Sequence, residues 1–431
     1  MYPNLYYFFK DVFGVEWQWA RFLNSFGFFV ALAFITAAIV LTRELKRREK
    51  KGWLLPYEEK KLFGKPASPS EILLNAFLGF IMGYKIIGAF IKAKEGVNPQ
   101  EFIFSSDGNL TAGILLAVLF GGIKWYEKHK VKMSKPEERV IRIWPHERVG
   151  DITVLAAIFG FIGAKIFHNL ENWNEFKADP VGSLLAFSGL TFYGGLICAA
   201  LAIIIYARQK KIALKPFMDA FAPTLILAYA IGRIGCQVSG DGDWGIPNSA
   251  YVADSSGTVQ LASPGEFKQR TAIASEYIRY EFQTTDPSSV PHAAIKAPSF
   301  LPVWMLAYTY PHNVNSVGDK LEGCDEPEHC SYLPLPVFPT PFYETIAGLL
   351  IFMLLLYLRK PIRFAGGLFG VYLFFNGFER FWIEKIRVNA KYEQLPFQPT
   401  QAELIALALM LTGILLFWKT YRSYQKSKNN Q

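Results

Sequence analysis

Apolar residues in this chain gather into blocks of about twenty, the length a helix needs to cross a hydrocarbon core. Nine blocks are read as spans: 22–41, 72–91, 110–125, 152–170, 184–206, 217–235, 342–358, 366–383 and 402–418. The third is short, and the eighth is rich in Gly and charge. Each is predicted to be a helix, because a segment in lipid must satisfy its own backbone hydrogen bonds. The fold class that follows is all-α, a polytopic membrane bundle of about nine transmembrane helices with one sizeable loop on the outer side.

The segments between blocks set the orientation. TRELKRREKK, KWYEKHKVKMSKPEERVIR, RQKKIALK, LRKPIR and KTYRSYQKSK follow the odd-numbered spans, while NLENWNEFKADP and the long stretch after Cys236 are neutral or acidic. Cytoplasmic loops carry the Lys/Arg excess, so the N-terminus is expected outside and the C-terminus in the cytoplasm. The chain divides accordingly into an interfacial or periplasmic lead-in (1–21), helices one to six (22–235), a periplasmic loop region (236–341), helices seven to nine (342–418) and a cytoplasmic tail (419–431). Within the loop, irregular structure with one helix near 264–282 is expected. Residues FLGFIMGYKI, from Phe77, echo IFGFIGAKI, from Ile158, with one residue dropped, as a duplicated helix pair would, or as two Gly-rich apolar helices do by chance.

Composition changes this picture little. The chain is 51% hydrophobic and carries a formal net charge of +9. That charge sits in short loops flanking apolar spans, which argues against nucleic acid as a partner. Residues 1–21 carry Asp11, Glu16, Trp17 and Trp19 and lack a basic n-region, so no cleavable signal peptide is read there. Cys324 and Cys330, six apart in the outer loop, invite a disulfide in an oxidising space.

Four constellations carry candidate chemistry. In GRIGCQVSGDGDWG, Arg233 lies near the end of a span between Gly232 and Gly235, and the glycines clear bulk for a ligand. In NGFERFWIEKIR, Asn376, Arg380, Glu384 and Arg387 recur at helical spacing and share one predicted face, with Arg380 and Glu384 able to pair. In TFYGGLI, Tyr193 precedes two glycines. In PTPFYE, Pro341 suits a helix start and Glu344 its first turn. Two arginines near the outer end of a bundle point to a phosphate headgroup, since guanidinium forks match phosphate oxygens and stabilise charge developing on a departing phosphate. No zinc-ligand spacing, P-loop, Ser-His-Asp order or flavin fingerprint is read, so no cofactor and no metal are expected.

Taken in order, GFIGAKIFHNL, GLTFYGGLI, GRIGCQVSGDGDWG, PTPFYE and NGFERFWIEKIR resemble the bacterial prolipoprotein diacylglyceryl transferase family. The resemblance covers 152 to about 389, with the first and last helices in addition. It implies an inner-membrane enzyme with phosphatidylglycerol, prolipoprotein signal peptides and membrane lipids as partners. Such an enzyme passes diacylglyceryl to a lipobox cysteine thiol and releases glycerol phosphate. By position, Arg233 and Arg380 match the two essential arginines, Asp241 the signature acid and Gly245 its closing glycine. Tyr343 and Glu344 match the family's YE, and Glu384 and Arg387 the later charged pair. Tyr193 stands where many members have His, Cys236 where many have Asn, and Asn376 where many have Tyr. One extra residue separates Asp241 from Gly245. The family core has seven spans, so the pair 72–125 is expected to be an addition. Catalytic roles are expected for Arg233, Arg380, Tyr193 and Asp241, and substrate binding for Arg233, Gly235, Gly245, Tyr343, Glu344, Asn376, Glu384 and Arg387.

Two other readings compete. Asp241-Gly242-Asp243 resembles a D-x-D motif, which would make the chain a metal-dependent membrane glycosyl- or prenyl-transferase, although the same residues are ordinary turn formers. A transporter would place its charges near mid-membrane, whereas Arg233 and Arg380 fall toward the outer side.

Overall fold

The structure, a computed structural model, describes residues 1–93, 102–103, 105–185, 191–324, 328–389, 391–392 and 394–429. Ten helices organise it: α1 (Leu5–Phe13), α2 (Ser25–Lys50), α3 (Pro69–Ile81), α4 (Leu110–Lys130), α5 (Val149–Glu171), α6 (Phe192–Gln209), α7 (Leu214–Ser239), α8 (Thr340–Leu358), α9 (Gly367–Glu384) and α10 (Gln401–Asn429). Among the described residues, eight helices are long and apolar enough to cross a membrane. The helix predicted at 366–383 is present as α9, 18 residues long, but Glu379, Arg380 and Glu384 set it apart from those eight. Only 11% of the apolar window of α4 is buried, and Ile114, Leu115 and Val118 face outward from it. Apolar faces this large are stable against lipid rather than water. The chain is thus a multi-pass, all-α membrane protein.

Two compact units make up the molecule: Glu16–Phe22 with Glu49–Leu214, and Met1–Val15 with Leu23–Arg48 and Lys215–Gln431. The first contains two helical hairpins, α3 with α4 and α5 with α6. They are built alike. A side chain on Gly83 would collide with the Ala112 carbonyl of α4, and one on Gly163 with the Gly194 carbonyl of α6. The N–H of Asn109, ahead of α4, donates to Tyr84 O at 2.9 Å, and that of Thr191, ahead of α6, donates to Ala164 O at 3.1 Å. The residue dropped between the two echoing sequences has a structural counterpart. After α3 the chain winds as a π-helix over Met82–Ile87, a form that takes up one extra residue within a helix. The fifth predicted span begins before α6, and its residues 186–190 lie outside the described ones.

The same unit holds a feature missed in the basic loops. Tyr57–Phe63 and Glu137–Ile143 pair as an antiparallel ribbon, β1 with β2, in the register Lys60 opposite Val140. Lys60 meets Glu138 at 3.3 Å and Arg142 meets Glu58 at 3.5 Å, both exposed. Such pairs add little stability singly but keep like charges apart across the strands. Their residues had been read for charge alone, which hid the alternation of EERVIRI.

In the other unit, α7 carries Asp219, 1% exposed, whose two carboxylate oxygens each accept a 2.8 Å bond, from the N–H groups of Gly366 and Phe369. A side chain from one helix thereby caps the N-terminus of α9, which would otherwise leave buried donors unpaired. Nearby, Glu44 receives Arg48 at 2.7 Å, Arg47 at 3.0 Å and also Arg359, joining α2 to the end of α8. Both contacts fix the ends of the helices that carry the candidate site at their opposite termini.

The long loop of this unit is ordered around Trp244, Tyr277, Ile278, Tyr310, Leu333, Leu335 and Val337. The single helix expected near 264–282 is two short ones, Glu266–Ile273 and Ser275–Glu281, interrupted at Ala274. Cys324 and Cys330 are joined in a disulfide. The lead-in at the N-terminus forms α1, capped by Asn4 and ended by Gly14 at φ 66°, and Tyr2 N–H bonds Val238 O at 2.9 Å.

Candidate active site

Three helix ends in this unit converge. Arg233 lies six residues before the end of α7, Arg380 four before the end of α9, and Glu344 four after the start of α8. At 1.5 Å per residue, all three sit within about 6–9 Å of their helix ends, a common level. Glu344, fully buried, is the hub. Its carboxylate meets Arg233 Nε at 3.2 Å, Arg380 Nη1 at 3.3 Å and Arg387 Nη1 at 3.8 Å, and accepts the Tyr229 hydroxyl at 2.9 Å. Taken alone, PTPFYE gives Glu344 helix-start chemistry, and the resemblance gives it substrate binding; it lies past the first turn of α8 and meets the arginines. A buried carboxylate in a bundle must be paired. That rule, applied to PTPFYE, is the signal that finds its role.

Asp243 is the second anchor. Its two carboxylate oxygens divide between Arg233 and Arg387. Burial alone would raise its pKa, but the two guanidinium groups outweigh that and hold it at about 2. Positive φ at Gly240 (64°) and Gly242 (101°) turns the chain back from α7 so that Asp243 returns to Arg233. The sequence reading chose Asp241 as the acid at this site. In the structure Asp243 meets the arginines, while Asp241 accepts Asn315 Nδ2 on its backbone oxygen at 2.8 Å and keeps Oδ1 buried without a partner. The turn through Gly240 and Gly242 brings Asp243 rather than Asp241 to the arginines.

Other residues take places the pattern did not indicate. Arg387 was expected on one helical face with Arg380 and Glu384, but α9 ends at Glu384 and Arg387 reaches Asp243 from the turn beyond. The predicted pairing of Arg380 with Glu384 is present at 3.2 Å, and Glu384 also accepts Asn389 and Thr400, each at 2.7 Å. Asn376 is half-buried on α9. Tyr343 donates its hydroxyl to Met305 O. Gly235 accommodates Phe26 and Phe29 of α2, so helix packing occupies the space a ligand was expected to use, whereas beside Gly232 that space is open. Gly245 lets three backbones cross, its N–H donating to Phe338 O at 2.9 Å while Ile246 N–H donates to Ile386 O at 2.8 Å. Tyr193 opens α6 in the first unit.

Sequence reasoning missed Tyr229 and Glu379. The Tyr229 ring lies 5.3 Å beneath the Arg233 guanidinium, and its hydroxyl is 3.3 Å from Glu379. The i, i+4 spacing of Tyr229 and Arg233 was visible and marks a cation–π pair.

Three guanidinium groups are therefore clamped by Asp243, Glu344 and Glu384. Each has five N–H donors and directs only two of its nitrogens at carboxylates. Donors remain for an oxyanion. A metal fits poorly. Cys236, Asp241 and Asp243 bring ligand atoms within 4.8 Å of one another, but both Asp243 oxygens face guanidinium groups, which repel a cation.

Residues 109–419 match the prolipoprotein diacylglyceryl transferase family. The chain belongs to that family. The matched region begins at the start of α4, so it takes in one helix of the pair expected to be an addition to the family core. Relatives named phosphatidylglycerol–prolipoprotein diacylglyceryl transferase include those of Corynebacterium glutamicum, 28% identical over 56% of this chain and 60% of that protein. The Corynebacterium efficiens protein is 29% identical over 63% of this chain and 67% of that protein. For Leptospira interrogans the identity is 29%, over 36% of this chain and 55% of that protein. The match thus spans about three-fifths of the C. glutamicum relative and just over half of the Leptospira one. All the residues of the arginine and carboxylate cluster lie inside the family region.

Proposed function

We propose that this chain transfers the diacylglyceryl group of phosphatidylglycerol to the lipobox cysteine thiol of prolipoproteins, forming a thioether and releasing glycerol phosphate. The observation that carries the reading is the cluster of Arg233, Arg380 and Arg387 that Glu344 and Asp243 hold together near three helix ends. In the reaction, the acceptor sulfur bonds to the glyceryl carbon, the carbon–oxygen bond breaks, and its electron pair leaves with the phosphate oxygen. Only a thiolate is nucleophilic enough, and a positive field favours the thiolate. Arg233 and Arg380 hold the phosphate and stabilise the charge it acquires on leaving. Glu344 and Asp243 position them. Tyr193 and Asp241 are candidates for handling the thiol proton. Gly235, Gly245, Tyr343, Asn376 and Glu384 shape the surroundings.

The deciding experiment offers the purified protein phosphatidylglycerol and a lipobox-cysteine peptide, with chelator present, and follows the peptide's mass. A gain of one diacylglyceryl is expected, and none for the Cys→Ser peptide. Transfer abolished by chelator and restored by Mg²⁺ would favour the D-x-D reading instead.

We place the protein in the bacterial inner membrane with the N-terminus periplasmic and the C-terminus cytoplasmic. Pairing of β1 with β2 supports the alternation, since the loops after the first and third spans must then lie on one side. A reporter fused after Gln431 should read cytoplasmic, and one inserted in 245–341 periplasmic. A cytoplasmic signal from that loop would sink the orientation.

A further inference from the structure

Arg387 belongs to two places at once. It is bonded to Asp243 in the arginine cluster, and it also lines a cavity of about 280 Å³. Glu384, Lys385, Asn389, Lys391 and Thr400 line the same cavity, which lies beyond the end of α9. Its charges do not cancel. Lys385 is paired with Glu403, Arg387 with Asp243, and Glu384 with Arg380. Lys391 is exposed and has no ion-pair partner among the described residues. One cation is left over.

The cavity's size narrows what it takes. Pockets for drug-sized ligands run from about 300 to 1,000 Å³. A volume of 280 Å³ excludes a diacyl lipid or a peptide helix and leaves room for a small polar molecule. The unpaired ammonium favours an anion, and the Asn389 amide oxygen, left over while its nitrogen donates to Glu384, can accept a hydroxyl. The transfer reaction produces one. When the carbon–oxygen bond breaks, the apolar product stays with the lipid and the polar one is a phosphate monoester. The thiol proton passes to solvent. The phosphodiester carries one negative charge, whereas a monoester carries about 1.5 to 2 at neutral pH. The added charge arises only after bond breaking, and Lys391 is placed to meet it.

We infer that this cavity receives the released glycerol phosphate, with Arg387 as the shared wall between the reacting phosphate and its exit. The inference rests on the proposed transfer reaction. It names Lys391 as a product-binding residue, touching neither the lipid donor nor the thiol.

The test compares product inhibition with substrate affinity in the full-length protein. Adding glycerol phosphate to the transfer assay gives its inhibition constant, and varying phosphatidylglycerol gives KM. In Lys391→Ala the inhibition constant should rise about five- to tenfold, and further in Lys391→Glu, while KM changes less than twofold. An unchanged inhibition constant overturns the assignment, and so does a parallel rise in both constants, which would put Lys391 at the donor. Lys391 is exposed, and its strand-like pairing with Thr400 is through the backbone, so neither variant threatens folding. Equilibrium binding of radiolabelled glycerol phosphate to the protein without acceptor peptide separates the two readings. Lys391-dependent binding in a preparation that transfers nothing supports the cavity and refutes the transfer reaction. Transfer without such binding overturns the cavity alone.

Discussion

Replacing Glu344 with glutamine is expected to cost this protein several kcal/mol of stability and nearly all of its activity. The side chain is fully buried, and three guanidinium groups converge on its carboxylate. Removing one partner from a buried ion pair costs about 3–5 kcal/mol, because the charge left behind is uncompensated. Here the loss leaves Arg233 with Asp243, Arg387 with the same Asp243, and Arg380 with Glu384. Those remaining contacts set a limit on the damage, so the protein should still insert but unfold at a lower temperature in detergent. Activity should fall more than about 100-fold, since the arginines lose the shared anchor that fixes their spacing. Glu344→Asp keeps the charge and should recover part of the stability and less of the activity. A glutamine variant with unchanged melting and turnover would show that Glu344 does not organise the cluster.

Much of the fold was legible because a bilayer imposes simple rules. Span length, loop charge and the internal echo each follow from local sequence. The π-helical turn at Met82–Ile87 was not legible, although the residue dropped between the echoing segments has to be absorbed somewhere. The site was legible in part. Arg233 and Arg380 stood out as charges in apolar helices. Their partners did not, because Arg233 meets Glu344 and Arg387 meets Asp243 across more than a hundred residues of chain, where no spacing rule applies. Helical periodicity placed Arg387 on α9, but a periodic pattern does not say where a helix stops. Which of Asp241 and Asp243 meets the arginines was hidden for a similar reason. Two glycines with positive φ decide which acid turns inward, and their conformation is not written in the D-G-D sequence. Charge alternation in β1 and β2 was available, but short ribbons are marginal in isolation and depend on the hairpins that bring them together.

Exchange of Arg233 for lysine tests the site most sharply, because it keeps the charge and removes the shape. Arg233 presents Nη1 to Asp243 and Nε to Glu344 while its planar face lies over the Tyr229 ring. An ammonium is a point charge on a flexible stem and makes one of those contacts well at a time. If Arg233 were only an interfacial anchor, lysine would serve as well, since both side chains snorkel. If it holds a phosphate that departs, the fork is needed at the moment charge develops. Losing one preorganised donor there costs about 100- to 1,000-fold in kcat. The expected result for Arg233→Lys is therefore a drop of about 100-fold in kcat, with a smaller change in KM for phosphatidylglycerol, because much of the contact is made to the leaving phosphate rather than to the resting lipid. Melting in detergent should shift by much less than in the Glu344 variant, since both carboxylates keep other arginine partners. Near-full turnover with lysine at position 233 would make the residue an interfacial anchor and remove the arginine cluster from the reaction.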